Sequence, residues 1–324
     1  MKPPTRPEFD LIARIRQRAS HGRGDVVLGI GDDAAVLAVP AGRQLVVAMD
    51  TLNAGVHFPG DTAPGDIGWK SLAVNLSDLA AMGAEPAWCT LSLSLPSADP
   101  AWVDAFLEGF LDLARLHDVA LVGGDTTRGP LSVCVAAHGW VEPGTALRRD
   151  GARPGDLVWV TGTLGDAAGA LAQWRDGGGV DARLRARLDR PVPRIAVGRA
   201  LPPVASACID VSDGLLADLG HVCAASGVGA EILLDALPCP EVLRECFDAA
   251  ARRRLQATGG DDYELCFTTR GTLRDAVAAI AADTGVDIAC IGRIVAGREV
   301  EAFDAEGRPW RPDRPGHEHF TTQE

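Results

Sequence analysis

The sequence predicts an α/β chain of the α+β type, built as two domains with mixed sheets. Apolar strand-like runs alternate with amphipathic helical stretches, and that alternation breaks once and restarts. Aspartates beside glycines follow the strands of both halves.

Candidate strands occupy residues 26–30, 44–48, 89–95, 120–122 and 132–140, each a short apolar run. Between them, residues 64–82 and 101–117 carry apolar side chains at three- and four-residue spacing, the period of a helix with one buried face. Glu142-Pro143-Gly144 and Gly151-Ala152-Arg153-Pro154-Gly155 interrupt the pattern. A second cycle opens with a strand at 157–161 and a helix after Gly165. It continues through a loop at Pro202-Pro203, a helix after Asp213, and strands at 263–268 and 288–291. The boundary is expected near residue 147, giving domains 1–147 and 148–324.

Composition narrows the function. The 324 residues are 47% hydrophobic and 23% charged, enough for a core in each half. A net charge of −13 argues against nucleic acid or an anionic membrane surface as partner. No apolar run reaches the roughly 18 residues of a membrane span, and the opening MKPPTRPEFD lacks a signal peptide's apolar segment. The eight cysteines form no C-x-x-C pair, so reduced thiols in a cytoplasmic protein are expected. Lys2 and Lys70 are the only lysines, and no Gly-Lys pair exists. A phosphate loop of the G-x-x-x-x-G-K type is therefore impossible, and a protein-kinase glycine loop is absent too.

The aspartates stand in Gly31-Asp32-Asp33, Met49-Asp50-Thr51, Gly124-Asp125-Thr126, Asp210-Val211-Ser212-Asp213-Gly214 and Gly260-Asp261-Asp262-Tyr263. One alone reads as a turn, and Asp210 or Asp213 as a helix cap. The set reads differently, because strand ends are where α/β folds gather ligand-binding groups. If they converge, two carboxylates about 4 Å apart repel by about 4 kcal/mol at an effective dielectric of 20. Such a cluster calls for cations, and oxygen donors without His or Cys favour magnesium or manganese. Ser71, Asn75 and Asp78 form a polar stripe on the 64–82 helix that could join it; a solvated face would carry Lys, Glu or Arg. Two weaker phosphate candidates are the turn Thr161-Gly162-Thr163-Leu164-Gly165-Asp166, equally a plain strand-to-helix turn, and the pair Arg148-Arg149, equally a surface pair.

Taken together, GIGDDAAV, MDTLNAGVHF, WKSLAVNLSDLAAMGAEPAW, GGDTTRGPLS, TGTLGDAAG, CIDVSDGLLADLGH, GGDDYELCF and the terminal HF resemble the thiamine-monophosphate kinase family, of the superfamily that includes aminoimidazole ribonucleotide synthetase. The resemblance implies ATP-dependent phosphorylation of thiamine monophosphate to the diphosphate with several Mg²⁺ ions. It also implies a homodimer whose N-terminal metal- and ATP-binding domains share a barrel-like sheet, and a C-terminal domain that binds substrate. By motif match, Asp33, Asp50, Asp78, Asp125, Asp210 and Asp213 resemble metal ligands, with Asp32 in support; all but Asp32 and Asp213 are also expected in catalysis. Gly124, Asp125, Arg149 and Ser212 resemble ATP contacts. His57, Asp261 and His317 resemble thiamine-phosphate contacts. Three positions depart from the family pattern. Ala48 and Met49 stand where hydroxyl residues are common, Asp261 replaces a glutamate, and His317 replaces an aromatic ring. Selenophosphate synthetases share the resemblance but use a reactive cysteine near the N-terminus; here the first cysteine is Cys89, inside a strand. A non-catalytic metal- or nucleotide-binding module is the alternative from another class.

Overall fold

The structure is a computed structural model that describes residues 7–19, 22–314 and 316–317. Its contacts divide the chain into one unit of Met1–Leu79 with Glu85–Gly144 and a second of Ala80–Ala84 with Thr145–Glu324. The segment 80–84 thus belongs with the second unit, which a single cut at 147 does not anticipate.

The first unit contains α1 (Pro7–Arg18), β1 (Val26–Leu28), β2 (Val36–Leu37), β3 (Gln44–Asn53), most of α2 (Pro64–Ala81), β4 (Glu85–Leu95), α3 (Pro100–Leu116), β5 (Ala120–Arg128) and β6 (Ser132–Val141). β3, β6, β4 and β5 form a four-stranded mixed sheet in that order, with β4 and β5 parallel. Alternation along β6 sends Val133, Val135 and Ala137 into the core. α2 and α3 approach until their backbones touch: a Cβ on Gly109 would lie 1.8 Å from the Gly65 carbonyl oxygen. Asp99 caps α3 by accepting the Ala101 amide.

Strands β3 and β5 are longer than the apolar runs that predict them. Neighbouring strands keep their backbone groups paired through Asp50 and through Gly124-Asp125. These two aspartates therefore lie within strands, not beyond their ends, and so differ from the expectation.

The second unit contains β7 (Leu157–Thr161), α4 (Asp166–Arg175), α5 (Ala182–Asp189), α6 (Ile195–Ala200), β8 (Ala207–Asp210), α7 (Leu215–Ser226), β9 (Gly229–Leu233), α8 (Glu241–Cys246), α9 (Ala249–Thr258), β10 (Leu265–Thr269), α10 (Arg274–Thr284), β11 (Ile288–Val295), β12 (Val300–Phe303) and β13 (Pro309–Trp310). Its seven-stranded mixed sheet runs β13-β12-β9-β11-β7-β10-β8, with β9 and β12 parallel. Val158, Val160, Ile209, Leu219, Ile232 and Ile291 are buried in its core. Asp210 ends β8 opposite Leu265 of β10, so this aspartate does stand at a strand end. Among the described residues, no helix is long and apolar enough to cross a membrane.

Candidate functional site

In the first unit, the Asp50 amide donates to Asn75 Oδ1 of α2 at 3.0 Å. Asn75 Nδ2 donates to the Ser71 carbonyl, and Ser71 Oγ to that of Gly68. Ser71 is 1% and Asn75 0% exposed, so the polar stripe on α2 is no solvated face. Asn75 is a strut that fixes β3 at Asp50, and Asp78 lies three residues further along the same helix, half-buried. Burial pushes the Asp50 carboxyl above the usual carboxylate range, the direction taken when desolvation outweighs any nearby positive charge.

Strand register relates Asp50 to the far edge of the sheet. Asp50 stands opposite Val135, Val135 opposite Leu91, and Leu91 beside Gly124. This row crosses three strand spacings of about 4.8 Å, or roughly 14 Å, and Asp125 follows at its end. Gly124 has φ +147, and a Cβ there would fall 1.8 Å from the Leu91 carbonyl oxygen, so glycine is required where β5 meets β4. A small cleft of about 90 Å³, lined by Ile12, Ile15, Ile30, Leu91 and Gly123, opens beside Asp125. Asp32 Oδ1 accepts the Asp33 amide, which directs Asp32 into its own turn. Asp33 and Asp125 are exposed.

His57 is held by its own loop. Its Nδ1 accepts the Asn53 amide at 3.0 Å, its amide donates to the Asn53 carbonyl, and its carbonyl accepts Lys70 Nζ at 3.0 Å. A ring nitrogen that accepts an amide carries no proton, so the neutral ring carries its proton on Nε2. Lys70 is 1% exposed, an uncommon site for a lysine.

In the second unit, four predicted residues meet around one loop. The Asp261 amide donates to the Ser212 carbonyl at 2.8 Å, and the His317 amide to the Asp213 carbonyl at 2.9 Å. The Tyr263 amide donates to the Val211 carbonyl, and the Val211 amide to that of Glu264. Asp261 and Tyr263 both have positive φ, 69° and 50°, and the Tyr263 hydroxyl donates to Asp261 Oδ1. Two such residues in three positions mark backbone strain of the kind found at functional sites. Asp210 is 5% exposed.

Sequence reasoning missed the buried acids beneath this loop. Asp218 Oδ2 accepts three amides, those of Ser212, Asp213 and Gly214, each at 3.0 Å. Burial raises the Asp218 pKa to about 7, and the charges of Asp210 and Asp213 push the same way. Neither Asp210 nor Asp213 caps α7, whose N-cap is Gly214 with no side-chain cap; Asp218 reaches back from within the helix to the amides that precede it. Glu264 is fully buried, bound through both oxygens by Arg194, through Oε1 by Arg187, and through Oε2 by the Thr161 hydroxyl. Asp262 Oδ2 accepts the Gly165 amide at 2.8 Å, so the turn 161–166 spends that amide on the protein itself and reads as a structural turn.

Arg148 forms an exposed ion pair with Asp150, as a surface pair would, while Arg149 stands exposed and its carbonyl accepts Ser226 Oγ. Cys89 is fully buried and burial raises its pKa, so it is no nucleophile. Among the described residues, no three His, Cys, Asp or Glu side chains stand together as a metal-holding group.

The model of the AIR synthase related protein N-terminal domain matches residues 31–141, and that of the C-terminal domain residues 153–305. Thiamine-monophosphate kinases of Salmonella typhimurium and Escherichia coli are each 47% identical to the chain, over 97% of it and 98% of their own length. A crystal structure of the Stenotrophomonas maltophilia thiamine-monophosphate kinase superposes with a TM-score of 0.86 at 55% identity, covering 91% of this chain and 96% of that one. AaThiL complexed with AMPPCP and TMP superposes at 0.77, with 31% identity and 97% of each chain covered.

Proposed function

This chain belongs to the AIR synthase related family, in its thiamine-monophosphate kinase branch, and from that premise we propose that it transfers the γ-phosphoryl group of ATP directly to thiamine monophosphate, yielding thiamine diphosphate and ADP. The observation that carries the reading is the loop 211–213. Backbone hydrogen bonds there tie Ser212 and Asp213, on the nucleotide and metal side of the chemistry, to Asp261 and His317, on the acceptor side.

Gly124, Asp125, Arg149 and Ser212 are assigned to ATP, and His57, Asp261 and His317 to thiamine monophosphate. Asp32, Asp33, Asp50, Asp78, Asp125, Asp210 and Asp213 are the candidate ligands of magnesium. The donors suit that ion, because all are carboxylate oxygens. Bound magnesium would offset the charge of the reacting phosphates and align them.

The chain's own groups favour direct transfer. The acceptor phosphate already carries negative charge and needs no strong base. With Nδ1 taken by Asn53, the His57 ring presents an Nε2–H, a donor to a phosphate oxygen rather than a phosphate carrier. Cys89, Cys208 and Cys266 are buried with raised pKa values. The eight cysteines are all free thiols, which suits the reducing cytoplasm.

A homodimer is part of this reading. β3 is an edge strand of ten residues whose outward side chains Leu45, Val47 and Met49 are 47%, 57% and 67% exposed. Natural sheets cover such an edge. A second copy of the same sheet would cover it and give the barrel that the family resemblance implies.

Purified protein supplied with ATP, Mg²⁺ and thiamine monophosphate should form thiamine diphosphate, with ADP released in step with it. ATP hydrolysis without thiamine diphosphate would overturn the assignment. Asp78→Asn and Asp125→Asn should each lower turnover about 100-fold or more with the fold retained, exceeding the roughly 10–100-fold of outer-sphere changes.

A further inference from the structure

We propose that Asp218 is a positioning residue for phosphoryl transfer, holding the loop that presents Ser212 and Asp213. The inference rests on the kinase reading above.

Three successive amides at the start of a helix, converging on one point, make a nest that ordinarily takes a phosphate or another anion. Here Asp218 Oδ2 fills that nest at 3.0 Å from all three nitrogens, and the residue is 3% exposed. The nucleotide phosphates therefore have no use of these amides. The loop offers the Ser212 hydroxyl and the Asp213 carboxylate instead, an arrangement that suits a cation-bridged nucleotide.

The geometry also shows why one side chain can set both directions. The peptide groups of Ser212 and Asp213 are bound on each side. Their amides donate to Asp218, while their carbonyls accept from Asp261 and His317. The carbonyl side is held by other backbone, and Asp218 is the side chain that closes the amide side. Gly214, the N-cap, has φ +126 and no side chain with which to do so. Without Asp218 three buried or half-buried amides lose their acceptor together, and the loop must turn to find others.

The test compares Asp218→Ala with Asp218→Asn, because an amide oxygen can accept the same three bonds. The first readout is hydrogen exchange at the amides of 212–214. The second is calorimetric binding of Mg²⁺–AMPPCP, an ATP analogue that is not turned over. Asp218→Ala should speed exchange at those amides, weaken AMPPCP binding about tenfold or more, and raise the KM for ATP more than that for thiamine monophosphate. Asp218→Asn should stay within about threefold of wild type on each measure. Unchanged AMPPCP affinity in Asp218→Ala, or unchanged exchange at 212–214, would overturn the proposal. So would an Asp218→Asn as impaired as the alanine variant. If Asp218→Ala does not fold, wild-type exchange decides: amides 212–214 exchanging as fast as exposed loop amides would sink the idea. A wild type that binds AMPPCP yet makes no thiamine diphosphate would refute the kinase reading and leave Asp218 to be judged on exchange and binding.

Discussion

Asn53 decides what His57 can do. By donating its amide to Nδ1 it leaves the neutral ring with a proton on Nε2, a donor fit for an anionic oxygen. Nothing in the local sequence announces this, because the bond follows from how the chain turns between β3 and Phe58. His57→Ala should remove one hydrogen bond to a charged group, worth roughly 1.5–3 kcal/mol, and so raise the KM for thiamine monophosphate about 10- to 150-fold. The KM for ATP should barely move, and steady-state kinetics with each substrate varied in turn checks the split. Equal increases in both would mean that the side chain merely supports the loop.

Two ties between elements carry the next predictions. Arg23 binds Asp25 with both guanidinium arms, and the Trp88 indole of β4 donates to the same carboxylate. The hydrogen bond from Arg23 chiefly, then that from Trp88, holds the Asp25 carboxyl below its usual range against the opposing effect of burial. A carboxylate with a lowered folded pKa stabilises the protein above its unfolded value near pH 3.9 and loses that contribution as the pH falls through the folded value. Asp25→Asn should therefore melt lower than wild type at pH 7, and the gap should narrow as the pH falls below the unfolded value and through the lowered folded one. A gap independent of pH would show that packing, not charge, is at work. The second tie is Glu264, which joins the end of β7 to Arg187 in α5 and to Arg194 just before α6. Glu264→Gln removes the carboxylate that Arg194 binds and leaves Arg187 only Asp166 at 4.0 Å, in a largely buried setting, and should cost about 3–5 kcal/mol. Denaturant titration measures it, and a cost under about 1 kcal/mol would mean that solvent already satisfies both arginines.

For the molecule as a whole, the outer face of β3 is the testable surface. Met49→Glu places a charge where a second copy would pack, and light scattering should then report monomer where wild type gives dimer. A monomeric wild type at micromolar concentration would refute the dimer. How much of this was legible in the chain varies with the range of the interaction. The alternation of strands and helices, the glycine-flanked aspartates and the exclusion of a lysine phosphate loop follow from near-neighbour patterns, and periodicity is a property of consecutive residues. The division of labour among the acids does not follow from them. Asp218, Asp262 and Glu264 look in sequence like Asp33, Asp125 and Asp213, yet the first three are spent on the protein's own amides, hydroxyls and arginines. The cause is reach. Asp262 meets the amide of Gly165 from 97 positions away, and Glu264 meets Arg194 from 70. Asp50 finds Asn75 across 25 positions because helix α2 passes behind β3. A carboxylate serves a ligand or the fold according to which donors face it, and donors brought there by strand pairing and helix packing leave no periodic trace along the chain.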